Sequence, residues 1–289
     1  MTAGPAAPAP EGLLLIDKPR GLTSHDAVDR VRRALRTKKV GHAGTLDPMA
    51  TGLLVMGVGR ATRLLRFLGD LPKTYEGTMR LGVETTTLDA EGEVTREAPV
   101  HAGADDVRAA MAALVGDSMQ TPPAYSAVKV GGRKLYEAAR KGEVLTAAAR
   151  PIHVTSFELL RFGDDVAAFR VICGGGTYVR VLAADIGTTL GCGAHLTALR
   201  RTAIGPFDVR DAVAPDDAGP PLPVERAVAH LPRLELEPEE AIAAGHGRIL
   251  GPAGIEGPYA VFDPDGRLVG VYEDEGTKGR PQVILSAPA

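Results

Sequence analysis

One aspartate is set apart by its surroundings. Asp47 lies in the run Gly41-His42-Ala43-Gly44-Thr45-Leu46-Asp47-Pro48-Met49-Ala50-Thr51-Gly52, whose glycines let backbone approach a ligand closely and whose Pro48 stiffens the chain after the carboxylate. A carboxylate held this way can act as a covalent nucleophile or as a general base. The same composition suits an Asx-type turn at Asp-Pro, so the loop alone leaves both readings open. Several other chemistries are closed. The chain has no Gly-Lys dipeptide and therefore no phosphate-loop signature, Gly57-Val58-Gly59 lacks the third glycine of a dinucleotide fingerprint, and no Gly-x-Ser-x-Gly elbow occurs. The seven histidines show no metal-ligand spacing, and Cys173 and Cys192 are too few for a disulfide framework or a four-thiolate zinc site. A metal is not expected, nor is a nucleotide cofactor held through these motifs, and a reducing cytoplasm is the expected compartment. Asparagine is absent, which removes glycosylation acceptors and Cys-His-Asn catalysis together.

The elements that must position Asp47 can be read from periodicity. Leu13 to Ile16 predicts a short apolar strand ended by the turn Lys18-Pro19-Arg20-Gly21. A helix follows, capped by Thr23 or Ser24, with Asp26 in its first turn and Val28, Val31 and Leu35 on its core face. Leu53 to Val58 predicts a buried strand and Ala61 to Leu68 a short helix. From Thr74 to Leu81 the chain alternates with period two, which puts Tyr75 on the inward face with Met79 and Leu81. Ala104 to Val115 predicts a helix terminated by Gly116, strands return at Ile152 to Leu160 and Val166 to Cys173, and Tyr178 to Ile186 predicts a passage from strand to helix. The proline-rich stretch from Pro215 to Pro232 reads as a linker, and Asp263-Pro264-Asp265-Gly266 as a hairpin turn between Tyr259 to Phe262 and Leu268 to Tyr272. Strands and helices that mix without regular alternation predict an α+β fold with a largely antiparallel sheet.

Length and charge bound the rest. With 289 residues, 44% hydrophobic and 24% charged, the chain predicts one large or two unequal globular domains, and no apolar run approaches a bilayer span. Met1 to Pro10 lacks the basic start and apolar core of a signal peptide and reads as a loose leader. The net charge of -3 argues against indiscriminate binding of nucleic acid, yet the charge is polarised. Residues 1–80 hold 13 basic and 7 acidic side chains, whereas residues 81–289 hold 20 and 29. One basic cluster includes Arg30, Arg32, Arg33, Arg36, Lys38 and Lys39; a second comprises Lys129, Arg133, Lys134, Arg140 and Lys141. Each could be a solvated face, but two clusters beside glycine-rich loops point to a polyanion.

Gly44-Thr45-Leu46-Asp47-Pro48-Met49-Ala50-Thr51-Gly52-Leu53-Leu54 closely resembles the catalytic motif of the TruB family, the tRNA pseudouridine-55 synthases. Further blocks of that kind follow in order: Asp17-Lys18-Pro19-Arg20-Gly21, Lys39-Val40-Gly41-His42, Lys73-Thr74-Tyr75-Glu76-Gly77, Thr85-Thr86-Thr87-Leu88-Asp89, Gln120 to Lys129, Gly176-Thr177-Tyr178-Val179-Arg180 and Leu199-Arg200-Arg201-Thr202. The likeness spans roughly residues 12–207.

The resemblance implies an isomerase that turns a T-loop uridine of tRNA, at position 55, into pseudouridine without metal or cofactor. It implies a pseudouridine synthase fold over residues 12–230, an RNA-gripping insertion at about 120–150, a small PUA-like β module at 231–289 and a disordered leader at 1–11. By resemblance Asp47 is the essential aspartate, ionised and paired with Arg180, and Tyr75 stacks on the target base and shares in proton transfer. His42 would hold displaced T-loop bases, and Lys18 would contact phosphate or support the loop of Tyr75. Tyr178, Arg33, Lys38, Lys39, Lys129, Arg133 and Lys134 would bind the tRNA T-arm. The target base must be flipped out at a cost of a few kcal/mol, which basic contacts offset. Asp89 raises a rival in which two carboxylates work as a glycosidase pair, and is otherwise a turn-forming or supporting residue. Gly174-Gly175 departs from relatives that carry a polar or basic residue there, which would loosen the loop bearing Arg180. The acidic tail, with 5 basic and 10 acidic residues from Leu231, resembles the family module only weakly. A monomer with no obligate protein partner and no membrane attachment is expected. An RNA-folding chaperone without chemistry and an N-glycoside hydrolase are the alternatives.

Overall fold

The computed structural model describes residues 10–285, so the leader expected over residues 1–11 lies outside the described residues except for Pro10 and Glu11. The apolar run Leu13 to Ile16 forms the middle of β1 (Gly12–Lys18), and α1 (Ser24–Ala34) follows. Thr23 is its cap: the hydroxyl accepts from the Asp26 amide at 3.1 Å, while the Asp26 carboxylate accepts from the Thr23 amide at 2.9 Å. Then come β2 (Val40–His42), β3 (Thr51–Val58) and β4 (Lys73–Leu81). Where one short helix is expected over Ala61 to Leu68, two successive 3-10 turns, Gly59–Arg63 and Leu65–Leu68, bury Ala61, Leu64 and Leu68.

A small ribbon of β5 (Val83–Thr85) and β6 (Val94–Glu97) leads to α2 (Ala104–Ala112). Gly116 does not terminate that helix; it opens β7 (Gly116–Gln120). The segment after it carries a tight hairpin, β8 (Lys129–Val130) with β9 (Arg133–Lys134), and the short helix α3 (Leu135–Ala139). After β10 (Arg150–Gly163) and β11 (Val166–Cys173), no strand leads into α4 (Val179–Thr189): residues 174–178 turn the chain directly into the helix. β12 (Ala194–Ile204) and β13 (Phe207–Asp208) complete the main sheet.

That sheet has nine strands in the order β1-β3-β12-β4-β11-β10-β7, with β2 paired to β3 and β13 to β12. Only β3 and β12 run parallel, so the α+β, largely antiparallel expectation holds. Leu13 to Ile16 of β1 and Leu53 to Met56 of β3 are unbroken apolar runs because both faces are covered. Leu14, Ile16, Leu54 and Met56 pack with Ala27, Val28 and Val31 of α1, while Leu13, Leu15, Leu53 and Val55 enter a different core. β4 buries one face only, with Tyr75, Met79 and Leu81 among residues from α2 and α4, which is why it alternates.

The proline-rich stretch is not a free linker. Val213 and Leu222 hydrogen-bond to the otherwise open edge of β1, in part through Leu13 N–H to Leu222 O at 3.0 Å and Leu222 N–H to Leu13 O at 2.7 Å, and a following 3-10 turn buries Ala227 and Val228. Prolines suit this task because a covering segment needs few amide donors of its own. Beyond it lie β14 (Arg233–Glu235), α5 (Pro238–Gly245), β15 (Pro258–Phe262), β16 (Leu268–Glu275) and β17 (Lys278–Ile284), forming a four-stranded sheet. The β15–β16 turn is the expected one, with the Asp263 carboxylate accepting from the Arg267 amide at 2.8 Å. One face packs on α5; the other, through Ala260, Phe262, Val271 and Val283, shares a core with Leu13, Leu53 and Ile204. At ~1.5–3 kcal/mol per large buried apolar side chain, this contact ties the sheet to the main body. Among the described residues no helix is long and apolar enough to cross a membrane.

Candidate active site

Asp47 sits on the turn between β2 and β3, and buried contacts from distant segments fix that turn. The Ser24 hydroxyl accepts from the Leu46 amide at 2.8 Å and donates to the Leu46 carbonyl at 3.1 Å. Gly21 N–H donates to Pro48 O at 2.8 Å. Lys18 Nζ donates to the carbonyls of Leu22 at 2.7 Å, Pro19 at 3.1 Å and Pro48 at 3.4 Å. With 0% exposure, Lys18 cannot reach a phosphate, and the loop it supports is that of Asp47 and not of Tyr75. Removal from water pulls its pKa down to about 8, against the opposing pull of Asp47. No backbone amide among the described residues donates to the Asp47 carboxylate, which disposes of the Asx-turn reading.

The partner of Asp47 is Arg180, in the first turn of α4 and only 4% exposed. Its Nε lies 3.2 Å from one carboxylate oxygen, off the hydrogen-bonding direction, and its Nη2 donates to the other at 3.4 Å. The guanidinium also donates to Tyr125 O at 2.6 Å and Thr87 O at 3.2 Å, and Nη1 lies 3.9 Å from Asp89. Arg180 thus gathers the Asp47 loop, the Tyr125 segment and the β5–β6 ribbon. The glycines before it do not leave it loose. A side chain at Gly175 would come within 2.3 Å of Gly69 O, so that glycine serves a close backbone contact.

The Asp47 side chain keeps 38% of its surface open. Burial of the remainder raises its pKa above the ordinary aspartate value; Arg180 and Lys18 oppose the rise and Asp89 adds to it. The pairing expected to hold Asp47 ionised is present, yet desolvation outweighs it. A reaction that needs the carboxylate is therefore lost, as pH falls, at a pH above 3.8, the ordinary aspartate value. Asp89→Asn removes the like charge and is expected to move that acid limb to lower pH, read from single-turnover rates between pH 4 and 8. An unmoved limb would show that Asp89 exerts no charge effect on the loop. Asp89 itself closes a turn: Thr87 Oγ1 donates to it at 2.6 Å and the Glu91 amide at 3.1 Å.

Tyr75 faces inward as its strand predicts, buried between Val171 of β11 and Arg201 of β12 in register. Burial pushes its hydroxyl pKa up, so it is neutral at physiological pH, while Arg201 pulls the other way. His42 ends β2 with Nδ1 buried and unpartnered; burial first, then Arg201, lowers its pKa and keeps the ring neutral. Tyr178 is held by Gln120, whose side chain accepts from its amide at 2.8 Å and donates to its carbonyl at 3.2 Å, with the ring 4.9 Å from Arg150 and 5.8 Å from Arg180.

The cations expected to bind RNA separate into two kinds. Arg33, Arg36, Lys38 and Lys39 are exposed around the end of α1 and the approach to β2, and Lys129 is exposed on β8. Arg32 is instead committed to Asp29 at 2.9 Å and Val40 O at 3.0 Å. On the hairpin, Arg133 pairs with Glu143 at 2.6 Å and Lys134 sits over the Tyr136 ring. Sequence reasoning assigned no part to Arg201, 1% exposed, or to Lys73, which donates to Gly69 O and Leu71 O. The signal was present: Arg200 and Arg201 are adjacent on a strand, so one of them must face inward. Gly52, read as room for a ligand, serves this packing, because an added Cβ would lie 2.3 Å from Arg201 O. Among the described residues no group of three or more His, Cys, Asp or Glu side chains could hold a metal ion.

The frame that holds this aspartate, arginine and tyrosine superposes on solved structures. The chain superposes on a Cbf5-Nop10-Gar1 complex with TM-score 0.72 and 28% identity, over 96% of this chain and 84% of the other. It also superposes on an H/ACA RNP bound to a substrate RNA containing 2'-deoxyuridine, with TM-score 0.71 and 26% identity over 96% and 85%. The fold and the proteins it matches define a pseudouridine synthase, an RNA isomerase. A model of the TruB family pseudouridylate synthase N-terminal domain matches residues 32–179, one of the tRNA pseudouridylate synthase B C-terminal domain matches 180–217, and one of the tRNA pseudouridine synthase II C terminus matches 231–286. The tRNA pseudouridine synthase B of Aromatoleum aromaticum is 49% identical over 92% of this chain and 89% of its own length; that of Mycobacterium tuberculosis is 46% identical over 95% of each. The chain belongs to the TruB family of tRNA pseudouridine synthases.

Proposed function

We propose that this isomerase converts the T-loop uridine at position 55 of tRNA to pseudouridine, acting as a monomer in the cytoplasm. The observation that carries the reading is the Asp47 carboxylate, partly open, fixed by Arg180 at 3.2 Å on a turn anchored from three sides. Asp47 is the nucleophile that keeps the sugar and the freed uracil together while the base turns, Arg180 orients it, and Tyr75 lies against the base and moves protons. His42, neutral and half-buried, packs among the displaced bases. Lys18 and Tyr178 act through the protein, on the catalytic turn and on the Gln120–α4 junction. Arg33, Lys38, Lys39 and Lys129 neutralise phosphates, with Arg133 and Lys134 joining once their local partners are exchanged for RNA. Residues 12–230 form the catalytic domain and 231–289 the PUA-like module, whose acidity assigns it to buttressing rather than to the main RNA grip.

The test is incubation of purified protein with unmodified tRNA transcript and no added cofactor, followed by mapping of modified uridines and chromatography of the supernatant. Pseudouridine at position 55, with no free uracil, is expected. Release of free base, or modification confined to another uridine, would overturn the reading.

A further inference from the structure

Among the described residues Arg201 is the largest fully buried side chain, and no carboxylate is in ion-pair contact with it. Its neighbour Arg200 faces the other way and is paired with Asp17 at 2.6 and 3.0 Å. Arg201 has only carbonyls: Nε donates to Leu53 O at 2.7 Å and Nη2 to Gly44 O at 3.1 Å, the latter on the loop that carries Asp47. Its guanidinium carbon lies 6.0 Å from the centre of the Tyr75 ring, and the two residues are cross-strand partners in register between β4 and β12. A buried guanidinium without a counter-ion is expensive, and such a charge is retained where it acts on something nearby.

We propose that Arg201 is a positioning residue of the isomerisation, a fixed charge that holds Tyr75 ready to pass through its anion. The inference rests on the proton-transfer role given to Tyr75 above. When the bond from N1 to the sugar breaks, its electron pair leaves with the uracil. The product needs one proton placed on N1 and one removed from C5, whose ring double-bond pair forms the new carbon–carbon bond as the Asp47 carboxylate leaves the sugar. A neutral Tyr75 hydroxyl supplies the first and becomes phenolate. The phenolate then takes the proton from C5, the C–H electron pair restores the ring double bond, and the tyrosine ends as it began. No outside acid or base is consumed. Burial keeps the hydroxyl protonated at the start, as the first half requires, and the adjacent charge of Arg201 lowers the cost of the phenolate that the second half requires.

The experiment uses the full chain and a tRNA transcript carrying either hydrogen or deuterium at C5 of its uridines, in single turnover, with Arg201→Gln, Tyr75→Phe and the double variant. Arg201→Gln is expected to slow the reaction by about 10²- to 10³-fold, the usual cost of removing one preorganised electrostatic contact. It should also raise the C5 isotope effect above that of the unaltered protein, and add no more than about threefold to the loss caused by Tyr75→Phe, since residues acting as a unit are not additive. If Arg201→Gln slows the Tyr75→Phe protein as much as the parent and leaves the isotope effect unchanged, Arg201 merely holds the Gly44 loop and the inference fails. If Tyr75→Phe alone runs at the parent rate, it is the tyrosine role that fails. Should circular dichroism show Arg201→Gln unfolded, Arg201→Lys enters the same cycle, its charge displaced but kept, under the same two criteria.

Discussion

Asp47→Asn is expected to reduce pseudouridine formation by at least about 10⁴-fold, as loss of a covalent nucleophile does, while leaving RNA binding intact or tighter. The amide keeps the shape of the carboxylate and removes one negative charge from a surface that must receive phosphates. The stability side has a definite sign. Desolvation raises the Asp47 pKa in the folded chain, so the fold holds the neutral acid better than the anion. Stability is therefore lost as pH rises from the ordinary aspartate range through the raised folded value. Asparagine never ionises and escapes that loss, so at pH 7 the variant should melt no lower than the parent, an exchange of stability for activity of the usual kind. Single-turnover assay, filter binding and thermal melts read the three outcomes. Product at the parental rate would remove Asp47 from the chemistry.

Arg180→Met is the other large expected effect. The change strips Asp47 of its closest cation and leaves Thr87 O and Tyr125 O without their donor. Water reaches Asp47 and screens part of the lost pairing, so the stability cost comes chiefly from the two carbonyls left without a donor, and urea unfolding should show a loss of about 1–3 kcal/mol. With desolvation and Asp89 no longer opposed by Arg180, the Asp47 pKa rises further and the acid limb of the rate moves to higher pH. At neutral pH the rate should fall by about 10²- to 10³-fold, the cost of removing one fixed electrostatic contact. Arg180→Lys should recover the position of the limb better than the rate, because an ammonium supplies charge without the fork that reaches two carboxylate oxygens and two carbonyls. A limb that stays put in Arg180→Met would show that the pair does not govern ionisation of Asp47.

What could be read from the sequence depended on whether the deciding contact is local. Asp47 carries its own frame of glycine and proline, and Tyr75 betrays its direction through strand alternation, so both were legible. The cap of α1 and the Asp263 turn close within four residues and were legible too. Lys18 was not. A lysine between an apolar strand and a Pro-Arg-Gly turn looks like a surface cation, and only the return of Pro48, thirty positions on, covers it. Arg32 and Arg33 are indistinguishable neighbours until the carbonyl of Val40 engages one of them. The stretch from Pro215 to Pro232 has the composition of a tether, and nothing within it reveals that a strand edge two hundred residues earlier needs covering.

That last pairing orders the biosynthesis of the molecule. β1 leaves the ribosome about two hundred residues ahead of positions 213 and 222, which protect its outer margin. Until then a bare apolar ribbon must wait, open to pairing with neighbouring nascent chains. The main sheet cannot finish folding before those residues arrive, and a chain cut short before Val213 would be a sticky fragment.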